Sequence, residues 1–327
     1  MVKEEINGNP HTAVIIVNYN NLADTIECLR TLKNSNSSVN IVVVDNGSTG
    51  NDAKRLGQIE GIILIENKEN LGFGRGNNVG IRWALSNTDC EFIFLLNNDA
   101  TVESDTISKL EKALYAFPEA GVSCPRIVMM EEPDVLWYGG GEVNWFKGSV
   151  IAPDYLGPAD AKQALIARNV TFASGCAMLI RRSVFEKVGG FDPRLFIYVE
   201  DLEFCLRVNK AGWTIRYIPE AVVKHKCQGS KRGRRKEFFP IDHPANPNLS
   251  FFMYHLTKNR LLTIFIHAKG LNALKFYLFF PIYLSAKCIQ YAFHKQGAAI
   301  KAIGKGIWDF LRIRKEPFGN EITTERS

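Results

Sequence analysis

A chain of 327 residues, 46% apolar and 23% charged, is ordinary globular material, long enough for one large domain or two unequal ones. That composition excludes disordered and collagen-like classes, and the absence of a self-similar period excludes a repeat array. The net charge of +6 is unevenly laid down: from Lys224 onward there are 19 Lys and Arg against 6 Asp and Glu, while the residues before it carry 21 against 28. Such a basic end calls for a polyanion, either nucleic acid or an anionic membrane surface.

The first 130 residues alternate strand and helix patterns. The continuous apolar run Ala13–Val17 predicts a strand buried on both faces. Asp24 with Glu27 predicts a capping box opening a helix through Ile26, Leu29 and Leu32. Ile41–Val44 and Ile62–Ile65 predict two more strands, Gly76–Leu85 a helix, and Phe92–Leu96 a fourth strand. Ser104–Phe117 predicts a helix stopped by Pro118. Repeated βα units predict an α/β fold with a Rossmann-like, mostly parallel sheet flanked by helices. From about Gly121 to Lys226 the pattern is mixed, with a glycine loop at 139–141, a strand at Cys176–Ile180 and a charged helix at Glu200–Ala211.

These patterns divide the chain into an α/β domain over 1–228, a basic, Pro-rich and mobile loop over 229–248, and a helical C-terminal region over 249–327. Within the first of these, about 12–130 alternates strand and helix and about 131–228 is mixed. In the C-terminal region the longest uncharged apolar stretch, Phe276–Ala286, has 11 residues, short of the roughly 20 needed to span a bilayer. It fits helices lying in a membrane interface, or else a bundle packed on the sheet or on a second copy as a homodimer. The basic cluster Lys231–Lys236 lacks interleaved aromatics and a nucleic-acid motif, so nucleic acid is not the expected partner. Seven cysteines without C-x-x-C spacing predict reduced thiols in a cytoplasmic protein. The polar N-terminus MVKEEINGNPHT predicts no signal peptide.

Open parallel sheets bind ligands at the carboxyl ends of their strands, which directs attention to Asn18-Tyr19-Asn20, Asp45-Asn46-Gly47-Ser48, Asn67–Asn70 and Asn97-Asn98-Asp99. Asp99, at the end of five apolar residues, is placed either as a metal ligand on a rigid strand or as a simple turn residue. Asp45 in VVVDNGS reads as a turn or as an acceptor for a base or ribose. The glycines in NLGFGRGNN, at 72, 74 and 76, suit backbone contact with phosphate or sugar oxygens, or a tight strand-to-helix turn. Neither the dinucleotide fingerprint nor a P-loop is present. Glu200-Asp201 at a helix start offers a general base, or carboxylates settled by the helix dipole. His225, closing the apolar strand Ala221–Val223, is a surface or core histidine, or a further metal ligand.

Taken as an ordered set, VIIVNYN (14–20), VVVDNGS (42–48), NLGFGRGN (70–77), LLNND (95–99), GFDPRLFIYVED (190–201) and the later His225 resemble the family 2 glycosyltransferases. These have the GT-A fold. The branch most resembled is the rhamnosyltransferase-like one, which also contains galactofuranosyl transferases. The resemblance covers about residues 12–230 and implies that 1–228 is a GT-A catalytic domain, with a nucleotide-binding half at about 12–130 and an acceptor half at about 131–228. It implies that Tyr19 and Asn20 flank the nucleotide base and that Asp45 bonds the nucleoside. It further implies that Gly72, Phe73, Gly74 and Asn77 line the donor, and that Asn97, Asn98 and Asp99 stand at the Asp-x-Asp-type motif. Asp99 would bind a divalent cation, Mg²⁺ or Mn²⁺, completed by His225. Asp201 would be the base of an inverting transfer from a dTDP- or UDP-sugar to a glycan or lipid-linked glycan acceptor. Such a location is cytoplasmic, peripheral on the inner face of the membrane. Two departures stand out: Asn97 replaces the first acid of the motif, and the Gln-x-x-Arg-Trp motif of processive synthases is absent. The latter implies transfer of one or a few sugars per encounter. A nucleotidyltransferase on a similar sheet, or a non-catalytic nucleotide- or glycan-binding member, are the competing readings; NYNN lacks the basic glycine loop of the first, and the second has no need of Asp201.

Overall fold

A computed structural model describes residues 10–227 and 242–322. The chain opens with β1 (Thr12–Asn18), α1 (Leu22–Lys33), β2 (Val39–Asp45), α2 (Asp52–Leu56), β3 (Ile63–Glu66), α3 (Phe73–Asn87) and β4 (Phe92–Leu96). It continues through β5 (Ala100–Val102), α4 (Thr106–Ala116), β6 (Ala120–Met129), β7 (Leu136–Tyr138), β8 (Glu142–Asn144), β9 (Ser149–Ile151), β10 (Arg168–Val170) and β11 (Ala177–Arg181). Then come α5 (Arg182–Val188), α6 (Glu200–Lys210), β12 (Thr214–His225), α7 (Leu249–His267), α8 (Gly270–Phe293) and α9 (Gly297–Ile313).

The uninterrupted apolar runs take the centre of one sheet, in the order β10-β12-β6-β11-β4-β1-β2-β3. From β4 to β3 every pairing is parallel, and β6 pairs with β12 in parallel too. β11 is inserted antiparallel between β4 and β6. The fold is the expected mostly parallel α/β sheet with helices on its faces. All of β4 is buried, as a strand covered on both sides must be.

Two expected helix starts move. The capping box at Asp24 and Glu27 does not form: α1 starts at Leu22 behind Asn21. Leu22 is already buried, so packing draws the start upstream. Asp24 lies within the first turn, where it accepts from Asn21 Nδ2 at 2.9 Å and pairs with Lys226, while Glu27 pairs with Arg30. Helix α3 starts at Phe73 instead of Gly76. Its glycines serve close packing: a Cβ on Gly80 would lie 2.5 Å from Ile15 Cγ2 of β1.

Residues 229–241 of the basic loop, including the Lys231–Lys236 cluster, lie outside the described residues. Residues 242–248 are tied to α8, through an Asp242–Lys287 ion pair at 2.7 Å and a Tyr291 hydroxyl donating to the Asp242 carbonyl at 2.8 Å. The C-terminal region is helical, as expected. Phe252 and Leu256 of α7 join the core of the sheet, and a second core forms from Leu249, Met253, Phe276, Phe280, Tyr291 and Ile303. Beyond α9 the tail returns to α3. Arg75 Nε donates to Glu321 Oε1 at 2.9 Å, Arg82 donates to the Glu321 carbonyl at 2.7 Å, and Ile322 enters the main core.

Candidate active site

At the carboxyl ends of β1 and β2 a buried polar knot replaces the apolar strand interior. Asn18, fully buried, donates through Nδ2 to Asp45 Oδ1 at 2.7 Å and lies 3.1 Å from both Ser48 Oγ and Asp52 Oδ2. The Asp45 carboxylate also accepts from the Ser48 backbone N–H at 3.1 Å and hydroxyl at 2.6 Å. Asp45 is thus held rigidly. Beside it Asn20, with a left-handed φ of 51°, accepts from Thr49 N–H at 2.8 Å. Tyr19, which follows Asn18 in the chain, is 44% exposed.

The glycine loop is built against residues 191–196. Gly72 has φ 83°, and a Cβ there would fall 2.2 Å from the Phe196 carbonyl, so no other residue fits. The same carbonyl accepts the Phe73 N–H at 2.8 Å. Asn77 turns its amide back onto the Phe73 carbonyl at 2.9 Å. Two asparagines of these same clusters, to which the sequence assigned no role of their own, do much of the pinning. Asn46 donates to Asn70 and the Gly72 carbonyl and accepts from Asn67 and the Leu71 N–H, and Asn78 exchanges hydrogen bonds with both backbone groups of Phe191.

At the end of β4, Asp99 Oδ1 lies 3.0 Å from His225 Nε2, both side chains being buried. β5 and β12 place them there, pairing Ala100 with His225. Asn97 Nδ2 is 3.4 Å from the same ring nitrogen. Asn98 faces α1, where its amide donates to Thr25 Oγ1 at 3.0 Å. The far side of the imidazole is oriented by Cys227, whose Sγ is 3.2 Å from Nδ1, and Trp137 packs edge-on at 4.7 Å. Burial works against the imidazolium, but the Cys176 sulfur and the Asp99 carboxylate outweigh it and raise the His225 pKa well above its usual range.

These residues fit a divalent cation. Adjacent ligands of an octahedral ion with bonds of roughly 2.1 Å sit about 3.0 Å apart, and the Oδ1–Nε2 separation is 3.0 Å. Among the described residues there is no cluster of three or more His, Cys, Asp or Glu suited to a metal. A protein supplying two ligands leaves the remaining positions to phosphate oxygens and water, the usual arrangement for Mg²⁺ with nucleotides.

Asp201 opens α6. Its Oδ2 accepts the Gly175 N–H at 3.1 Å and its Oδ1 the Leu202 N–H at 2.8 Å. Burial raises its pKa, and those backbone donors oppose the rise. Burial pushes Glu200 well above the carboxylate range, with the charge of Asp201 adding to it, and Glu200 Oε2 has no partner among the described residues. Of two adjacent carboxyls the environment therefore leaves Asp201 as the one that ionises.

The turn 174–176 brings the two chemistries together. Gly175 holds Asp201, while the Cys176 carbonyl accepts the Asn97 N–H at 2.8 Å at the end of β4. Phe73 of the glycine loop closes on the same turn: a Cβ at Gly175 would lie 3.0 Å from its ring. The loop before α6 is strained, with Tyr198 and Val199 at φ 66° and 73°, a cost of roughly 1–3 kcal/mol for each such residue. Asn259 of α7, fully buried, clamps it by donating to the Ile197 and Tyr198 carbonyls at 2.9 and 2.7 Å. Sequence reasoning missed Asn259, because nothing short of the fold brings it within reach of residue 201. Replacing it by Asp keeps the volume but removes both donors and faces a carboxylate to two carbonyls. Asn259→Asp is expected to lower kcat at least about tenfold, in line with one or two buried hydrogen bonds, with the donor KM little changed in steady-state assays.

Comparison with known proteins agrees with this fold. Residues 13–189 match the profile of Glycosyl transferase family 2. An N-acetylglucosaminyl-diphospho-decaprenol L-rhamnosyltransferase of Mycobacterium tuberculosis is 29% identical over 243 residues, covering 66% of this chain and 74% of that one. The dTDP-rhamnosyl transferase RfbF of Shigella flexneri is 28% identical over 219 residues, covering 66% and 69%. Among solved structures, the mannosyltransferase PcManGT of Pyrobaculum calidifontis, in complex with GDP-Man and Mn²⁺, superposes with a TM-score of 0.51 at 18% identity, covering 93% of this chain and 88% of that one. At that identity the likeness speaks for the fold. The match to more than half of the chain, laid over a GT-A sheet, shows that this protein belongs to glycosyl transferase family 2.

Proposed function

We propose that this glycosyltransferase is an inverting hexosyltransferase that moves a rhamnose-like or other hexose from a dTDP- or UDP-sugar to a glycan or lipid-linked glycan acceptor, with Mg²⁺ or Mn²⁺. The observation that carries the proposal is the turn at Gly175-Cys176. On one side of it stands a buried carboxylate–imidazole pair suited to a cation, on the other a buried carboxylate of raised pKa. The relatives named above, one acting on a diphospho-decaprenol-linked sugar and one on a dTDP-sugar, favour the donor and acceptor classes.

Asp99 and His225 would hold the cation, which when bound neutralises charge on the departing diphosphate. Tyr19 offers its ring to the base and Asp45 a fixed carboxylate edge. Asp201 takes the proton of the acceptor hydroxyl as the acceptor oxygen bonds to the anomeric carbon. The bond from that carbon to the diphosphate oxygen breaks, and the nucleoside diphosphate leaves. A single displacement inverts the anomeric centre.

The reading is tested by thermal stability and donor hydrolysis across a panel of nucleotide-sugars. A ligand at about 100 times its Kd stabilises by roughly 2.7 kcal/mol, so dTDP or UDP with Mn²⁺ is expected to raise Tm by several degrees, and chelation to reverse it. No shift with either nucleotide would sink the donor assignment.

A further inference from the structure

Helix α8 has two apolar faces. Phe276, Phe280, Leu284 and Tyr291 fill the C-terminal core. On the opposite face Leu271, Leu274, Leu278, Ile282, Ile289 and Phe293 recur at helical spacing and are turned to solvent, with Leu278 at 64%, Ile282 at 68% and Phe293 at 83% exposure. The two charges along the helix do not break this face. Lys275 lies over the Phe146 ring and Lys287 pairs with Asp242, both only partly exposed. At about 1.5 Å per residue a 24-residue helix carries the stripe for about 36 Å, a contiguous exposed apolar strip of the kind that marks a protein or membrane contact. No helix among the described residues is long and apolar enough to cross a membrane.

We infer that the outer face of α8 docks this enzyme on the surface of an anionic phospholipid bilayer, lying in the interface with the lysines and arginines around it against the headgroups. Charge decides the occupant. From Lys269 to Lys315 there are nine Lys and Arg and a single acid, Asp309, itself paired with Lys305. A second copy would set this basic segment against its own image, since a two-fold contact juxtaposes the same surface on both partners. Anionic headgroups meet it with the opposite sign. On α9 the exposed Lys301, Trp308 and Arg312 add cations and an interfacial aromatic. The proposal deepens the reading of a lipid-linked acceptor, but stands on the surface alone.

The test is co-sedimentation of the full chain with vesicles, using neither donor nor acceptor, so that its failure leaves the transfer reaction untouched. Wild-type protein is expected to bind vesicles of phosphatidylglycerol and phosphatidylcholine, more weakly as salt rises, and to bind pure phosphatidylcholine at least about tenfold less. Leu278→Glu with Ile282→Glu, both at exposed positions, should cut binding on the order of tenfold or more and leave nucleotide-induced thermal stabilisation unchanged. Lys301→Gln with Arg312→Gln should lower binding to the anionic vesicles alone, and provides the check if the first variant does not fold. The inference is overturned if wild type stays in the supernatant with anionic vesicles, or if neither variant loses binding. It is equally overturned if wild type sediments as a lipid-free dimer that the Leu278, Ile282 variant converts to monomer.

Discussion

Asp201→Asn is expected to abolish transfer while leaving nucleotide binding and stability nearly intact. General base catalysis contributes typically 10²–10⁴-fold, so kcat should fall by about 10³-fold in a sugar-transfer assay. The thermal shift with dTDP or UDP should persist. The stability argument has a definite sign. Burial raises the folded-state pKa of Asp201 above its unfolded value, so the folded protein binds the proton more tightly and wild type loses stability as pH rises through the raised value. The amide removes that loss but cannot accept both the Gly175 and Leu202 N–H groups. The two effects oppose each other and leave stability at neutral pH changed by about 1 kcal/mol or less. The same raised pKa places the acid limb of the wild-type rate profile above the ordinary aspartate range, since the base works only when ionised. A variant that lost nucleotide binding and Tm together would demote Asp201 to a structural residue.

Asp99→Ala is the second large effect. With Asn97 in place of an acid, Asp99 supplies the negative charge at this end of β4. Its loss should cost at least about 10²-fold in kcat/KM, as removal of a metal's charged ligand does. It also strands a buried imidazole: truncating one partner of a buried pair typically costs about 3–5 kcal/mol, so Tm should fall even without nucleotide. Calorimetric titration of dTDP or UDP with and without Mn²⁺ separates the two consequences. The proposed role requires that the cation strengthen nucleotide binding in wild type and not in the variant. Equal cation dependence in both would place the metal elsewhere.

Strands β1 to β4 and the polar clusters after them, with β11, were legible because each strand is one continuous apolar run; β6 and most of β12, broken by Pro125 and Arg126 and by Arg216, Pro219 and Glu220, were not. Asp45, Asp99 and Asp201 stand out for the same reason: each is an acid at the edge of an apolar stretch or at a helix start. The three-residue strands β7, β8, β9 and β10 are too short to show a period, and β5 hides in the turn after Asp99. The partners of the site were less visible still. Cys227 lies two residues past the end of β12 and looks like any buried thiol. Gly175-Cys176 joins the two chemistries only because β11 enters the sheet antiparallel beside β4. Asn259 sits in a helix whose sequence is mostly apolar, 61 residues beyond the carbonyl of Tyr198 that it holds. Hydrogen bonds of that reach are a product of the tertiary fold and leave no local pattern.

The returning tail sets an order of events during synthesis. Glu321 meets Arg75 across 246 residues and Asn78 across 243, on the helix that carries the glycine loop. Chains are made from the N-terminus at roughly 5–20 residues per second. The sheet can therefore assemble while the ribosome is still translating, yet the cover over α3 waits until Glu321 has been made. A nascent chain stalled after α9 would hold a folded sheet with α3 uncovered on one side. Its glycine loop should gain protection from hydrogen exchange only on release of residues 316–322.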